Sequence, residues 1–345
     1  MGFPTRRLGG SDCMATVLGF GGAPLGNLYA PIPEAVAADL LAGTWDAGLR
    51  LYDTAPFYGF GLSERRIGDF LREKPRADFV VSTKVGRMLV PDPGDHPARQ
   101  AFKSALPFRP VFDYSYDAVM RSFEDSLQRL GLDRIDVLLM HDIGRVTHGD
   151  RHEELFRIAM DGGARALTEL RDQGVVKAIG LGVNEWEVCE AAMDHARWDT
   201  FLLAGRYTLL EQESLASFLP RCEREGVTLI VGGPFNSGIL ATGPVAGARY
   251  NYEPAPPEIL ERARAIEAVC RDHGVPLAAA ALAFPLTHPA IASVIPGMAN
   301  RAELDANLAL MRATIPAALW TDLKAAGLIR PDAPIPAADQ TAATA

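Results

Sequence analysis

The chain has 345 residues, and length alone admits either two domains of about 150 residues each or one large barrel. At 48% hydrophobic and 22% charged residues it has ample material for a core. A formal net charge of −9, with no opposing basic run, argues against nucleic acid or anionic lipid as partner, and no stretch is long and apolar enough to span a bilayer.

The N-terminus, MGFPTRRLGG, has no apolar run suited to a signal peptide and breaks the myristoylation pattern at Arg6. Cys13, Cys189, Cys222 and Cys270 are widely spaced without a Cys-x-x-Cys pair, as suits reduced thiols. The expected location is therefore cytoplasmic.

Residues 1–15 are expected to form a turn or hairpin covering one end of the fold. Short apolar runs suited to strands follow at 16–20, 50–53, 78–84, 135–141, 176–183, 200–205, 227–233 and 291–296. Helical periodicity lies between them, as in PEAVAADLLAGTWDAGL and in SYDAVMRSFEDSLQRLGL, where Ser115 is the expected N-cap. The segment ERARAIEAVCRDHG ends on a glycine suited to a left-handed C-cap. Residues 87–114 form a Pro-rich connection of the length usual for lids or binding loops. The Ala- and Pro-rich tail, 331–345, is expected to add little to the core.

Strand and helix alternate eight times, which fits a doubly wound sheet or a closed barrel. The count of eight, and the lack of a Gly-x-Gly-x-x-Gly after any strand, favour the barrel. The predicted architecture is a single α/β (β/α)8 TIM barrel over residues 1–330, with an N-terminal cap and a C-terminal helical extension.

In such a barrel the C-terminal strand ends converge on one mouth, where active sites sit. Asp53, Lys84 and His141 end the second, third and fourth strands, Asn184 follows the fifth, and Tyr207 follows the sixth. Tyr58 lies just beyond Asp53. A free tyrosine titrates near pH 10, and a nearby ammonium such as Lys84 is expected to lower that value. Asp53 can hold Lys84 in place, and His141 can share a proton with a substrate oxygen. The set suits proton transfer at an alcohol or carbonyl, and a hydride carrier would complete the chemistry. Asn184 also suits the N-cap of the next helix. His148 and His152 have helical zinc-ligand spacing without a third ligand and read as a solvated surface, so no metal is expected.

The motifs YDTAPFYG, STKVG, LLMHD, IGLGVNEW, GGPFNSGIL and VIPGMANRAELDANL occur in the order seen in the aldo-keto reductases, which the chain resembles over essentially its whole length. The resemblance implies one barrel binding extended NAD(P) across its mouth, with Asp53, Tyr58, Lys84 and His141 as catalytic tetrad. It places Gly22 and Asp53 beside the cofactor, Asn184 on the nicotinamide carboxamide and Tyr207 as the ring stacked on nicotinamide. Gly233, Pro234 and Phe235 would follow the pyrophosphate, and Asn307 the adenine. Family members that use NADP carry a lysine after the last-strand proline and an arginine six residues on. Gly297 and Glu303 stand there instead, so NAD is the expected cofactor, with NADP possible. The substrate would meet Tyr58, Arg87, His141 and Trp186.

Departures from the common family pattern occur at Ala23, Val183 and Ala204. With FDYSYDAVMRSFEDSLQRLGL and HDIGR, they resemble a branch holding the aldose 1-dehydrogenases (L-fucose, D-threo-aldose and L-galactose dehydrogenases) and pyridoxal 4-dehydrogenase. The branch implies oxidation of a free aldose at its anomeric carbon to the lactone. The alternatives are pyridoxal oxidation, general NADP-dependent carbonyl reduction and a non-catalytic cofactor-sensing subunit.

Overall fold

A computed structural model describes residues 2–94 and 101–336. Eight of its strands form one parallel sheet: β1 (Phe20–Gly21), β2 (Leu51–Asp53), β3 (Val80–Val85), β4 (Val137–His141), β5 (Ala178–Val183), β6 (Thr200–Ala204), β7 (Thr228–Gly232) and β8 (Ile291–Ile295). Neighbours in sequence are neighbours in the sheet from β1 to β8. Parallel bridges between Leu18 and Val294, and between Gly21 and Gly297, join the last strand to the first. The result is a (β/α)8 barrel. The strands read as continuous apolar runs because both faces are covered. Leu51, Val80, Val137, Leu139, Ala178, Leu202 and Ile230 fill the interior, while Tyr52, Val81, Leu138 and Met140 pack outward against helices.

The first expected strand, 16–20, divides. Met14–Thr16 pairs antiparallel with Thr5–Arg7, and only Phe20–Gly21 joins the barrel. That hairpin inserts Leu8, Cys13 and Ala15 into the interior cluster and closes the barrel's lower end, as expected. Gly9 at its turn is left-handed, and a Cβ there would stand 2.1 Å from the Asp199 carbonyl oxygen.

The helices that clad the barrel include α1 (Glu34–Asp46), α2 (Leu62–Leu71), α3 (Tyr116–Leu130), α4 (Ala164–Asp172), α5 (Trp186–Ala192) and α6 (Phe218–Glu225). They continue with α7 (Pro257–Asp272), α8 (Leu277–Leu286), α9 (Arg301–Met311) and α10 (Ala317–Ala325). Ser115 caps α3 by accepting from the Ala118 amide, and left-handed Gly131 ends it. Among the described residues, no helix is long and apolar enough to cross a membrane.

Two expectations are corrected. The 87–114 segment is largely ordered as a β-ribbon, with Arg87–Pro91 antiparallel to Phe108–Phe112. Leu28 bridges to Phe102 beyond it, and residues 95–100 lie outside the described residues. The start of the tail also packs: Ala333 is buried in the core, and Thr287 Oγ1 donates to the Pro334 carbonyl at 2.7 Å. Tail residues 337–345 lie outside the described residues.

Candidate active site

Asp53, Lys84 and His141 arrive at the mouth as buried residues of adjacent strands β2, β3 and β4. Lys84 Nζ donates to Asp53 Oδ2 and to the Thr54 carbonyl, each at 2.8 Å, and Ser82 Oγ donates to Asp53 Oδ1 at 2.9 Å. Tyr58 sits in a stiff turn whose Gly59, Phe60 and Gly61 all have positive φ. Gly59 is obligatory, since a Cβ there would stand 2.5 Å from the Gly26 carbonyl oxygen. This backbone places the half-buried Tyr58 with its ring centroid 4.7 Å from Lys84 Nζ and 6.0 Å from the His141 ring. The structure thus assembles all four residues.

The electrostatics correct one expectation. Burial raises the Tyr58 phenol above its ordinary value, and the Lys84 ammonium only partly opposes that, because Asp53 already balances its charge. The resting tyrosine is therefore protonated at neutral pH. Burial works against charge on Lys84, but Asp53 and Tyr58 together outweigh it and raise its pKa, so the ammonium persists. His141 is held well below its usual range by burial, then by Arg87 and Lys84, and is neutral. Its Nδ1 is buried without a protein partner.

A second group adjoins these four. The buried Arg87 guanidinium pairs with Asp142, 4.1 Å from the Phe57 ring centroid and 5.0 Å from that of Phe112. The ring centroids of Phe57 and Phe102 are 5.3 Å apart at 90°, and Phe102 also flanks Tyr58. Asn184 does not cap α5. The N-cap is Glu185, without a side-chain bond, and Asn184 Nδ2 donates to Asp142 Oδ1 at 3.3 Å. Asp142 was not singled out in the sequence, although LLMHD contains it. Phe57 lies inside YDTAPFYG beside Tyr58 without a role of its own in the sequence, and Phe102 belongs to no motif.

Along the path implied for a cofactor, Gly22 begins the turn after β1 and donates its amide to the Asp53 carbonyl. A Cβ at Gly22 would stand 2.5 Å from that carbonyl oxygen. Gly233 is exposed with a positive φ, and Pro234 and Phe235 follow it into a turn through left-handed Asn236 and Ser237. Gly297 is exposed just ahead of the α9 N-terminus. Open backbone at a glycine turn and at a helix start suits an anionic dinucleotide. Asn307 is buried on α9. Glu303 is tied up locally: it accepts from the Ala299 amide at 2.8 Å and from Asn300 Nδ2 at 3.0 Å, while its own amide donates to Asn300 Oδ1. This capping box was readable as Asn300-x-x-Glu303.

One assignment fails. Tyr207 is completely buried, its ring against Phe284 and His288 of the α8 region, and it has no free face for stacking on a nicotinamide. Trp186 is partly exposed at the start of α5, with one ring contact to Phe218 of α6. His148 and His152 are not a solvated pair either. His148 Nε2 meets the Tyr114 hydroxyl at 2.9 Å, and His152 Nδ1 meets the Ile143 carbonyl oxygen at 3.0 Å.

The sequence model of the Aldo/keto reductase family matches residues 17–327. The chain belongs to this family. This aldo/keto reductase is 47% identical to pyridoxal 4-dehydrogenase of Microbacterium luteolum, over 94% of this chain and 97% of that one. It is 41% identical to D-threo-aldose 1-dehydrogenase of a Pseudomonas species, over 90% and 94%. The fold matches an aldo-keto reductase from Bacillus halodurans in its holo form, with TM-score 0.72 at 24% identity, covering 94% of this chain and 96% of that one. The protein is thus an oxidoreductase of the aldo/keto reductase type.

Proposed function

We propose that this aldo/keto reductase is a nicotinamide-dependent dehydrogenase that oxidises a cyclic hemiacetal to its lactone. The observation that carries the reading is the Tyr58 phenol beside an Asp53-held Lys84 ammonium and a neutral His141. A bound nicotinamide supplies the hydride acceptor. Asn184, the Gly233–Phe235 turn and the start of α9 would hold that dinucleotide. His141 orients the hemiacetal hydroxyl, and Tyr58 takes its proton once its own has been released. Because burial keeps Tyr58 protonated at neutral pH, oxidation gains with rising pH.

For the substrate, the partly exposed Phe57 and Phe112 rings, backed by buried Phe102, give the mouth an aromatic border that suits a flat heteroaromatic ring. They favour the hemiacetal of pyridoxal, as does the relative at 47% identity. A free aldose of the L-fucose, D-threo-aldose or L-galactose type is the second reading. It is supported by the polar Arg87–Asp142–Asn184 network and the relative at 41% identity.

NAD is the proposed cofactor. No cation stands at Gly297 or Glu303, and Arg301 bonds Asp305 and lies over Gly43 of α1. An unpaired 2′-phosphate would be desolvated without compensation there. Initial rates with pyridoxal, L-fucose and L-galactose, each with NAD and NADP, test the proposal. Lactone formation with NAD supports it, and aldehyde reduction with NADPH as the dominant activity contradicts it.

A further inference from the structure

We infer that Asp142 is a positioning residue that locks cofactor-side Asn184, acid/base-side His141 and substrate-side Arg87 into one unit. Its carboxylate divides between the two sides of the mouth. Oδ2 takes the Arg87 guanidinium and lies 3.5 Å from His141 Nε2, while Oδ1 accepts from Asn184 Nδ2 at 3.3 Å. Three side chains from β3–β5 and their following turns thus converge on one buried anion.

The backbone is built to deliver that anion. Asp142 has φ 45, a left-handed conformation that side-chain-bearing residues adopt at a free-energy cost and that aspartate tolerates better than most. Three contacts hold it there: its amide donates to the Gly182 carbonyl at 3.0 Å, and the Tyr114 hydroxyl bonds the carbonyls of His141 and Asp142 at 2.9 and 3.1 Å. On the far side, Arg87 is clamped between the Phe57 and Phe112 rings, and its Nε is buried without a protein partner. Together with the partnerless His141 Nδ1, this leaves two polar atoms at one site with bonding capacity to spare. Such atoms are costly, and they leave Asp142 as the carboxylate that both side chains share.

The competing role for Asp142 is an ion pair that only fastens the 87–112 ribbon to the barrel. The test uses Asp142→Asn, which keeps the shape and the tolerance for positive φ but removes the charge. The inference rests on the proposed nicotinamide-binding role of Asn184, so binary NADH binding, read by fluorescence without substrate, is measured first. Expected are a several-fold loss of NADH affinity and an about ten- to hundredfold rise in the hemiacetal KM at saturating cofactor, the size expected for a lost bond to a charged group. The double variant Asp142→Asn, Asn184→Ala should bind NADH no worse than the weaker single variant, because both remove one coupled contact. A lower melting temperature with unchanged NADH affinity and KM overturns the inference. Failure of the unmodified protein to bind NADH overturns the parent reading and this one with it. If Asp142→Asn does not fold, Asn184→Ala, which leaves the ion pair intact, should still raise the hemiacetal KM at saturating NAD; an unchanged KM overturns the inference.

Discussion

At the scale of single residues, the proposed chemistry turns on one phenol, Tyr58, between burial and the Lys84 ammonium. Tyr58→Phe removes the proton carrier and leaves the Asp53–Lys84 pair standing. Oxidation should fall by about 10² to 10⁴, the usual worth of general acid–base catalysis, with NADH binding retained. Unchanged turnover would deny Tyr58 its role. Lys84 opposes the burial that raises the Tyr58 pKa, so Lys84→Met should raise that value further. The rise of kcat/KM for oxidation with pH should then move to higher pH; a rise that stays in place would mean Tyr58 titrates independently of Lys84. These four residues were legible because barrel topology sends strand ends to one mouth, and Asp53, Lys84 and His141 each end an apolar run. Tyr207 was misread for a physical reason: its place after β6 is visible in sequence, but its inward packing on Phe284 and His288 depends on a helix about eighty residues away. Asp142 escaped notice because a residue just past a strand end gives no sign that its backbone turns left-handed.

At the scale of elements, the start of α9 is capped by its own residues and is also the proposed site of cofactor choice. Asn300 and Glu303 cap the helix reciprocally, so Asn300→Ala should cost about 1 kcal/mol of stability by denaturant titration. Glu303→Gln keeps the box, since glutamine also fits it, while removing the charge proposed to repel a 2′-phosphate. It should therefore raise the efficiency with NADP relative to NAD at little cost in stability, and an unaltered cofactor ratio would separate Glu303 from cofactor choice. The ribbon from Arg87 to Phe112 teaches a different lesson. Its five prolines from 91 to 110 mask two strands whose pairing needs long-range register, so the sequence reads as a loop. The proposed functional role narrows to Arg87 and Phe112, which pack together beside Asp142 and Phe57. Trimming the ribbon tip between Asp92 and Pro107 should raise the substrate KM, whereas a change in melting temperature alone would make the ribbon mere packing.

For the whole molecule, the two ends of the barrel divide the labour. The N-terminal hairpin plugs the lower end with Leu8, Cys13 and Ala15, while every proposed catalytic group lies at the other. Deleting residues 2–13 should lower the melting temperature well before it alters NADH affinity in the folded fraction. Parallel losses of both would tie the hairpin to the site. The barrel was readable from eight apolar runs because a parallel sheet buried on both faces leaves no polar alternation to confuse them. The proposed substrate preference was less readable, because it rests on Phe57, Phe102 and Phe112, which come from separate segments and meet only in the fold. The measurement that bears most directly on the account is product analysis after incubation of the unmodified protein with NAD and either pyridoxal or L-fucose across pH 6 to 10. The account predicts stoichiometric NADH and lactone, increasing with pH, with pyridoxal ahead of the sugar. Absence of lactone from every hemiacetal, with brisk NADPH-driven aldehyde reduction, would contradict it.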